Sequence, residues 1–332
     1  MPVQRPVTIS IDAVGGDFAP DRILEGIDAA LAEHPAVWVL LTGPAEVVEP
    51  FASSRDRVEA VPTTEVIEMG EHPAAAVRSK RDSSIVVGAR LVRDGRADAF
   101  FSAGSTGACM AAATLVMGRI EGVSRPAIAT VIPTAGPPCV MVDVGANADC
   151  KPDNLLQFAE MGAEYASVVL GVATPRVGLL NIGEEPSKGS LLAQEAYQLL
   201  SASQPGFIGN IEGGDVPAGN VDVVVTDGFT GNVALKLLEG TSESLLEQVK
   251  VAMTSSLPNK LAAAVLKPAL VRLKGRLDPD TYGGAPLLGV AGVCIIGHGS
   301  SGATAVASAI GMAVRAVEGD LTGRIATAVA DN

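Results

Sequence analysis

Aromatic side chains are scarce: they make up 3% of the 332 residues, with one tryptophan and three tyrosines. Single-stranded nucleic acid is held on stacked aromatic platforms, and this chain has too few to build them. Positive charge is also short, with 24 Lys and Arg against 37 Asp and Glu and a formal net charge of -13. That argues against nonspecific nucleic-acid binding and leaves only a local basic surface open. The four cysteines, Cys109, Cys139, Cys150 and Cys294, lack the spacing of a metal site or a disulfide framework, so free thiols in a reducing compartment are expected. No apolar run is long enough for a clear transmembrane helix, and the start of the chain carries no basic, apolar, small-residue leader. A cytoplasmic protein is expected, with peripheral contact at the inner face of a membrane left open.

Several catalytic signatures are missing too. The first strand-like segment is not followed by G-x-G-x-x-G, residues 181–189 lack the glycine spacing and Gly-Lys-Ser/Thr ending of a Walker loop, and no serine sits in a G-x-S-x-G elbow. No internal repeat has a fixed period. These gaps weaken nucleotide and acyl-serine chemistry, and no metal or cofactor is expected.

What is present is apolar and glycine-rich: 48% hydrophobic residues and 37 glycines, enough for a large core with closely packed helices. Strand-like segments at 7–11, 37–41, 58–61, 99–102, 128–132, 140–144, 177–181, 221–226 and 290–296 alternate with helical ones. The helices are expected at 21–33, 73–93 with a break at 82–84, to about 117, at 154–170, to about 200, from 233, and from the 298–301 turn to about 317, with a last turn or helix beyond it. Such alternation points to an open α/β sheet.

Candidate site residues gather where strands end. Asp12, Gly15 and Gly16 lie in the first turn, where acids either contact a ligand or organise amides. Ser105, Thr106 and Gly107 lead into a small-residue helix, and Gly299, Ser300 and Ser301 follow His298 into another; amides at helix starts favour an anion. Asp143 and Asn147 close a strand, as does Asp227 before Asn232, and each pair can orient a substrate or satisfy its own loop. Lys188 and Lys80 are the cations for a phosphate, Lys188 preferred and Lys80 beside Arg78 and Arg81. From Lys250 to Arg276 the chain carries Lys250, Lys260, Lys267, Arg272, Lys274 and Arg276 with no acid. An apolar-basic segment of this kind suits an acidic protein, an anionic membrane surface or the rim of a dimer.

Assembled in order, Asp12-Ala13-Val14-Gly15-Gly16-Asp17, the 102–108 turn, residues 143–147, 181–189, 228–240 and 282–301 resemble the bacterial phosphate acyltransferases, also called acyl-carrier-protein:phosphate acyltransferases. Ser105 stands where the family motif carries asparagine, and Ala13-Val14 is a variant of a segment that often contains methionine. The resemblance implies a three-layer α/β/α open sheet like that of phosphate acetyltransferases and isopropylmalate dehydrogenase, in a single catalytic domain over 1–332 with a helical basic excursion at 240–277. It implies a homodimer that moves a long-chain acyl group from acyl carrier protein to inorganic phosphate, for a membrane glycerol-3-phosphate acyltransferase to use in phospholipid synthesis. On this reading Lys188, His298 and Asn232 are the catalytic candidates and the other residues named bind substrate. A short-chain transferase using coenzyme A, and less so an NAD-dependent dehydrogenase, are the alternatives.

Overall fold

The computed structural model describes residues 6–277 and 279–330. The N-terminal part contains β1 (Val7–Asp12), α1 (Asp21–Glu33), β2 (Val37–Gly43), α2 (Ala45–Ala52), β3 (Val58–Pro62), α3 (Pro73–Ser79), α4 (Ser84–Arg93), β4 (Ala99–Ser102) and α5 (Thr106–Ala112), which runs on as a π-turn over Ala113–Met117. The middle contains β5 (Ala127–Ile132), β6 (Cys139–Val142), α6 (Pro152–Val169), β7 (Val177–Leu180), α7 (Leu191–Ser203), β8 (Phe207–Ile211), α8 (Asp215–Ala218) and β9 (Val223–Val225). Two long helices follow, α9 (Gly228–Thr254) and α10 (Leu257–Leu277), then β10 (Ala285–Leu288), β11 (Val293–Ile296), α11 (Ala303–Glu318) and α12 (Leu321–Ala330).

The strands join in one sheet of order β3-β2-β1-β4-β11-β10-β5-β6-β9-β7-β8. Alternation along each strand sends side chains to two separate cores. Ile9, Ile11, Phe101, Val140, Val142, Val293 and Ile295 pack with α1, α6 and α11 on one face. Phe100, Cys139, Met141, Cys294 and Ile296 pack with α4 and α5 on the other. Helices on both faces make three layers, the α/β/α arrangement expected.

Strand direction decides where the turns go. β3, β2, β1, β4 and β11 are mutually parallel, while β10 is antiparallel to both β11 and β5, and β5 is antiparallel to β6. β6, β9, β7 and β8 are parallel again but reversed relative to the first set. The carboxyl ends of β1, β4 and β11 therefore lie at one sheet edge, and those of β6, β7 and β9 at the other.

Three expectations need correction. The strand read at 290–296 is shorter: β11 starts only at Val293, and residues 285–288 ahead of it form the antiparallel strand β10. Gly289 sits between them at φ +86°, which only a residue without Cβ adopts easily, so the chain reverses there. Residues 227–232, read as a turn ahead of a helix from 233, begin the helix itself, because Asp227 caps it by accepting from the Thr230 amide and hydroxyl at 2.9 and 2.8 Å. The edge strand β8 had no counterpart in the sequence reading.

α10 packs chiefly against α9. Leu257, Leu261, Val265, Leu266 and Val271 are all exposed. Lys260, Lys267 and Arg272 are exposed among them. Lys250 pairs with Glu247 at 2.9 Å, and the side chains of Lys274 and Arg276 lie outside the described ones. Among the described residues, no helix is long and apolar enough to cross a membrane.

Candidate active site

The carboxyl ends of β1, β4 and β11 come together through backbone bonds. Gly297 N–H donates to Ser102 O at 2.8 Å, and Asp17 N–H to Gly299 O at 2.7 Å. Beneath them Asp12 is fully buried; its carboxylate accepts from the Ser102 hydroxyl at 2.7 Å and the Val14 amide at 3.1 Å. Burial pushes its pKa above the usual carboxylate range, opposed by hydrogen bonds from Ser102, Ser84, Val14 and Gly15. Gly15 fits against it so tightly that a Cβ there would lie 2.6 Å from Asp12 Oδ2, and a Cβ on Gly16 would lie 3.0 Å from Gly299 O. Asp12 thus joins the end of β1 to the end of β4 through Ser102.

Two helices begin at this edge. Ser105, buried, caps α5 by accepting from Ala108 N–H at a long 3.4 Å, so its hydroxyl is directed to the helix. The amides of Thr106 and Gly107 have no partner among the described residues. α11 is a 16-residue helix with no side-chain cap at Gly302, and the amides of Gly299, Gly302 and Ala303 likewise have no partner among the described residues. Unpaired amides at a helix start carry partial positive charge outward and suit an anion.

His298 is exposed on the same turn. Its Nδ1 lies 2.7 Å from Ser300 Oγ and accepts from Ser300 N–H at 3.3 Å. With Nδ1 accepting, the neutral ring carries its proton on Nε2, which is left for a ligand. Ser301 is buried, with its amide on His298 O at 2.9 Å. Cys109 on α5 is no nucleophile, since burial pushes its thiol up to about 12.

Lys80 reaches this region without offering a free charge. Its Nζ donates to Glu71 Oε1 at 2.5 Å and to Val66 O at 2.7 Å, and this partner holds the Glu71 carboxyl below its usual range.

The remaining candidates follow β6, β7 and β9 and lie at the opposite edge. Buried Asp143 accepts five N–H groups: Ile128, Gly145 and Ala146 amides on Oδ1 at 3.1, 3.1 and 3.0 Å, and the Asn147 amide and Nδ2 on Oδ2 at 2.8 and 2.9 Å. Burial raises its pKa against those donors. Asn147 also donates to Pro126 O at 2.8 Å. Asp227 is committed to its cap, Asn232 is exposed on the first turns of α9, and Lys188 is exposed with no ion pair among the described residues. No hydrogen bond or ion pair among the described residues joins this group to the first. His298, Gly299, Ser300, Ser301, Ser105, Thr106 and Gly107 are brought to one edge with Asp12, Gly15 and Gly16; Lys188, Asn232, Asp143, Asn147 and Asp227 are not. Among the described residues no cluster of three or more His, Cys, Asp or Glu can hold a metal.

Sequence reasoning missed Met69. Its Cε would lie 3.1 Å from a Cβ placed on Gly299, a long-range contact that no local pattern encodes.

The chain matches the family model described as "Fatty acid synthesis protein" over residues 7–324. It is 47% identical over 325 residues to the phosphate acyltransferase of Geobacillus sp. (strain WCH70), covering 98% of this chain and 99% of that one. To the phosphate acyltransferase of Heliobacterium modesticaldum it is 50% identical over 315 residues, covering 93% and 94%. Among solved structures it is similar to a phosphotransacetylase from Streptococcus pyogenes, with TM-score 0.63 and 18% identity over 94% of each chain. A 4-hydroxythreonine-4-phosphate dehydrogenase from Klebsiella pneumoniae gives TM-score 0.55 and 12% identity over 95% and 98%. The last two likenesses concern the fold alone.

Proposed function

The chain belongs to the phosphate acyltransferase family, and on that premise we propose that its acyl donor is a long-chain acyl carrier protein and that transfer takes place at the edge where β1, β4 and β11 end. It is an acyl-phosphate-forming phosphate acyltransferase acting reversibly. The observation that carries the placement is the pair of helix starts with unpaired amides, whose turns are tied together by the Gly297 N–H to Ser102 O bond.

The thioester is already activated, so the protein has to bring together an anion and a carbonyl and then stabilise the charge that develops. In this reading the Gly299, Gly302 and Ala303 amides hold phosphate. One phosphate oxygen attacks the carbonyl carbon, forming the new C–O bond. The Thr106 and Gly107 amides face the oxyanion of the tetrahedral intermediate. On collapse the C–S bond breaks and the thiolate takes up the proton that hydrogen phosphate gives up as it is acylated, while His298 Nε2–H hydrogen-bonds the departing sulfur. Ser300 bonds Nδ1, which leaves Nε2–H to make that hydrogen bond. Lys188 and Asn232, carried by the other edge, are assigned to the approach of substrate and not to the bond-making step.

The acidic carrier protein suits the exposed Lys260, Lys267 and Arg272 on α10, where local complementarity outweighs the overall charge. We take residues 1–332 as one catalytic domain with α9 and α10 as its docking excursion, in a homodimer that works in the cytoplasm. It touches the inner face of the membrane and hands acyl phosphate to a glycerol-3-phosphate acyltransferase.

The deciding assay offers acyl carrier protein thioester and acyl-coenzyme A separately, with phosphate present or omitted. Phosphate-dependent acyl phosphate from the carrier-protein donor, and little from coenzyme A, is expected; the reverse preference assigns the chain to the short-chain reaction. In the double variant Lys267→Glu/Arg272→Glu the KM for carrier protein rises about tenfold, the equivalent of about 1.4 kcal/mol, and the phosphate KM rises less. Equal changes in both constants count against docking on α10.

A further inference from the structure

We propose that Met69, carried on a strap over residues 66–71, is the apolar contact for the donor's acyl chain beside the anion turn, that Phe18 shares this contact, and that Lys80 is the positioning residue for the strap. The inference rests on the transfer site proposed above and names how that site recognises a long chain.

Met69 lies over Gly299, with its Cε 3.1 Å from the place a Cβ would take, yet it is 55% exposed. Phe18 is 55% exposed as well, and it directly follows Asp17, whose amide bonds to Gly299 O. Two large apolar side chains thus stand exposed around one polar turn, where water contact gives them no favourable partner. When phosphate sits at that turn and attacks a thioester, the carbonyl carbon is within bonding distance of the anion. The alkyl chain must then leave over whatever surface adjoins Gly299. Methionine is unbranched and polarisable and adapts to chains of varied conformation.

The strap is held so that Met69 remains outside. Ile67 is buried at 5% exposure and anchors it beside its Val66 end. Lys80 Nζ bonds Val66 O at one end and Glu71 Oε1 at the other, at 2.7 and 2.5 Å. Glu71 Oε1 also accepts from Glu68 N–H at 2.7 Å, and the Glu71 amide bonds Glu68 O at 3.2 Å. One ammonium group therefore fixes both ends of the segment that carries Met69. Its effect on acyl recognition passes through the strap, with no contact of its own to phosphate.

The test measures kcat/KM for hexadecanoyl and butanoyl thioesters of acyl carrier protein with the unaltered chain, Met69→Gln, Phe18→Gln, Lys80→Met and Lys80→Arg. The ratio of long-chain to short-chain kcat/KM is expected to fall about tenfold in Met69→Gln, less in Phe18→Gln, and to fall through KM in Lys80→Met. Lys80→Arg, which can still bridge Val66 O and Glu71, restores the ratio. Circular dichroism confirms that each variant is folded. A ratio in Met69→Gln that stays within about twofold of the unaltered chain overturns the acyl contact. A loss in Lys80→Met confined to kcat, or one not restored in Lys80→Arg, overturns the positioning role. If the unaltered chain makes no acyl phosphate from either thioester, the transfer-site reading itself falls, and this inference with it.

Discussion

The turns after β6 and β11 both follow a buried strand, both carry glycine, and both stand beside a helix start. After β6, Asp143 gathers five N–H donors into one carboxylate. After β11 the Asp17 carboxylate oxygens lie 3.4 and 3.6 Å from the place of a Cβ on Gly299, yet the amides of Gly299, Gly302 and Ala303 are unpaired among the described residues. The same kind of turn is closed by its own acid in one place and left open to an outside anion in the other. A buried acceptor already filled by the chain is structural; donors left unpaired at a helix start await a ligand.

Gly231→Ala gives the largest expected effect, because it strikes the closed turn. A Cβ there would lie against the Asp143 carbonyl oxygen and, at 2.8 Å, against Thr226 Cγ2. Overpacking against backbone has no flexible end to absorb it, so about 3 kcal/mol of stability or more is lost. An unchanged urea midpoint would show that the turn is slack and the contrast drawn too sharply.

Ala303→Pro tests the open turn. Proline is accepted at the first helical position, and Gly302, at φ -85° and ψ 177°, already has the extended backbone that a following proline requires. Only one N–H is removed. The kcat/KM for phosphate should fall about tenfold, or about 1.4 kcal/mol, while the melting temperature stays close to that of the unaltered chain. A variant as active as its parent would remove the Ala303 amide from the anion site.

The smallest effect concerns Asp12, which resembles Asp143 in burial but lies under the open turn. Its folded pKa is raised by desolvation, so the folded state binds the proton more tightly than the unfolded one. Any benefit from the neutral form is fully present below the unfolded value of about 3.9 and is lost as pH rises through the raised folded value. Asp12→Asn removes this dependence. The stability of the unaltered chain relative to Asp12→Asn should therefore decline from about pH 4 upward and then level off. A difference that stays flat from acid to neutral pH would mean that the hydrogen bonds from Ser102 and Val14 offset the burial completely.

Much of this was legible locally. The helix expected at 21–33 and the strand at 99–102 match α1 and β4, because apolar periodicity and a following turn are properties of neighbouring residues. The break at 82–84 separates α3 from α4, with Ser83 at the cap position. Locality also explains the errors. Residues 290–296 read as one strand, and only pairing with β4, β10 and β5 shows that β11 starts at Val293 and that 285–288 form an opposed strand.

The site shows the same limit. Residue types alone marked His298, Gly299, Ser300 and Ser301 as candidates to hold an anion, and the ordered motifs identified the family. They could not separate the two groups of candidates, since Lys188 and His298 both follow strands and only strand direction assigns them to different edges. Nor could they show that the Lys80 charge is spent on Glu71, or that Met69 lies over Gly299 from 230 positions away in the chain. The sequence by itself determined the alternation of elements, the layered fold class and the chemistry of acyl transfer to phosphate, because each is written in short-range pattern and residue type. Which amides stay open, which acids are consumed and which apolar side chains lie beside the turn after β11 were decided only by the tertiary structure, because hydrogen-bond partners and contact surfaces belong to pairs of residues that the chain brings together only on folding.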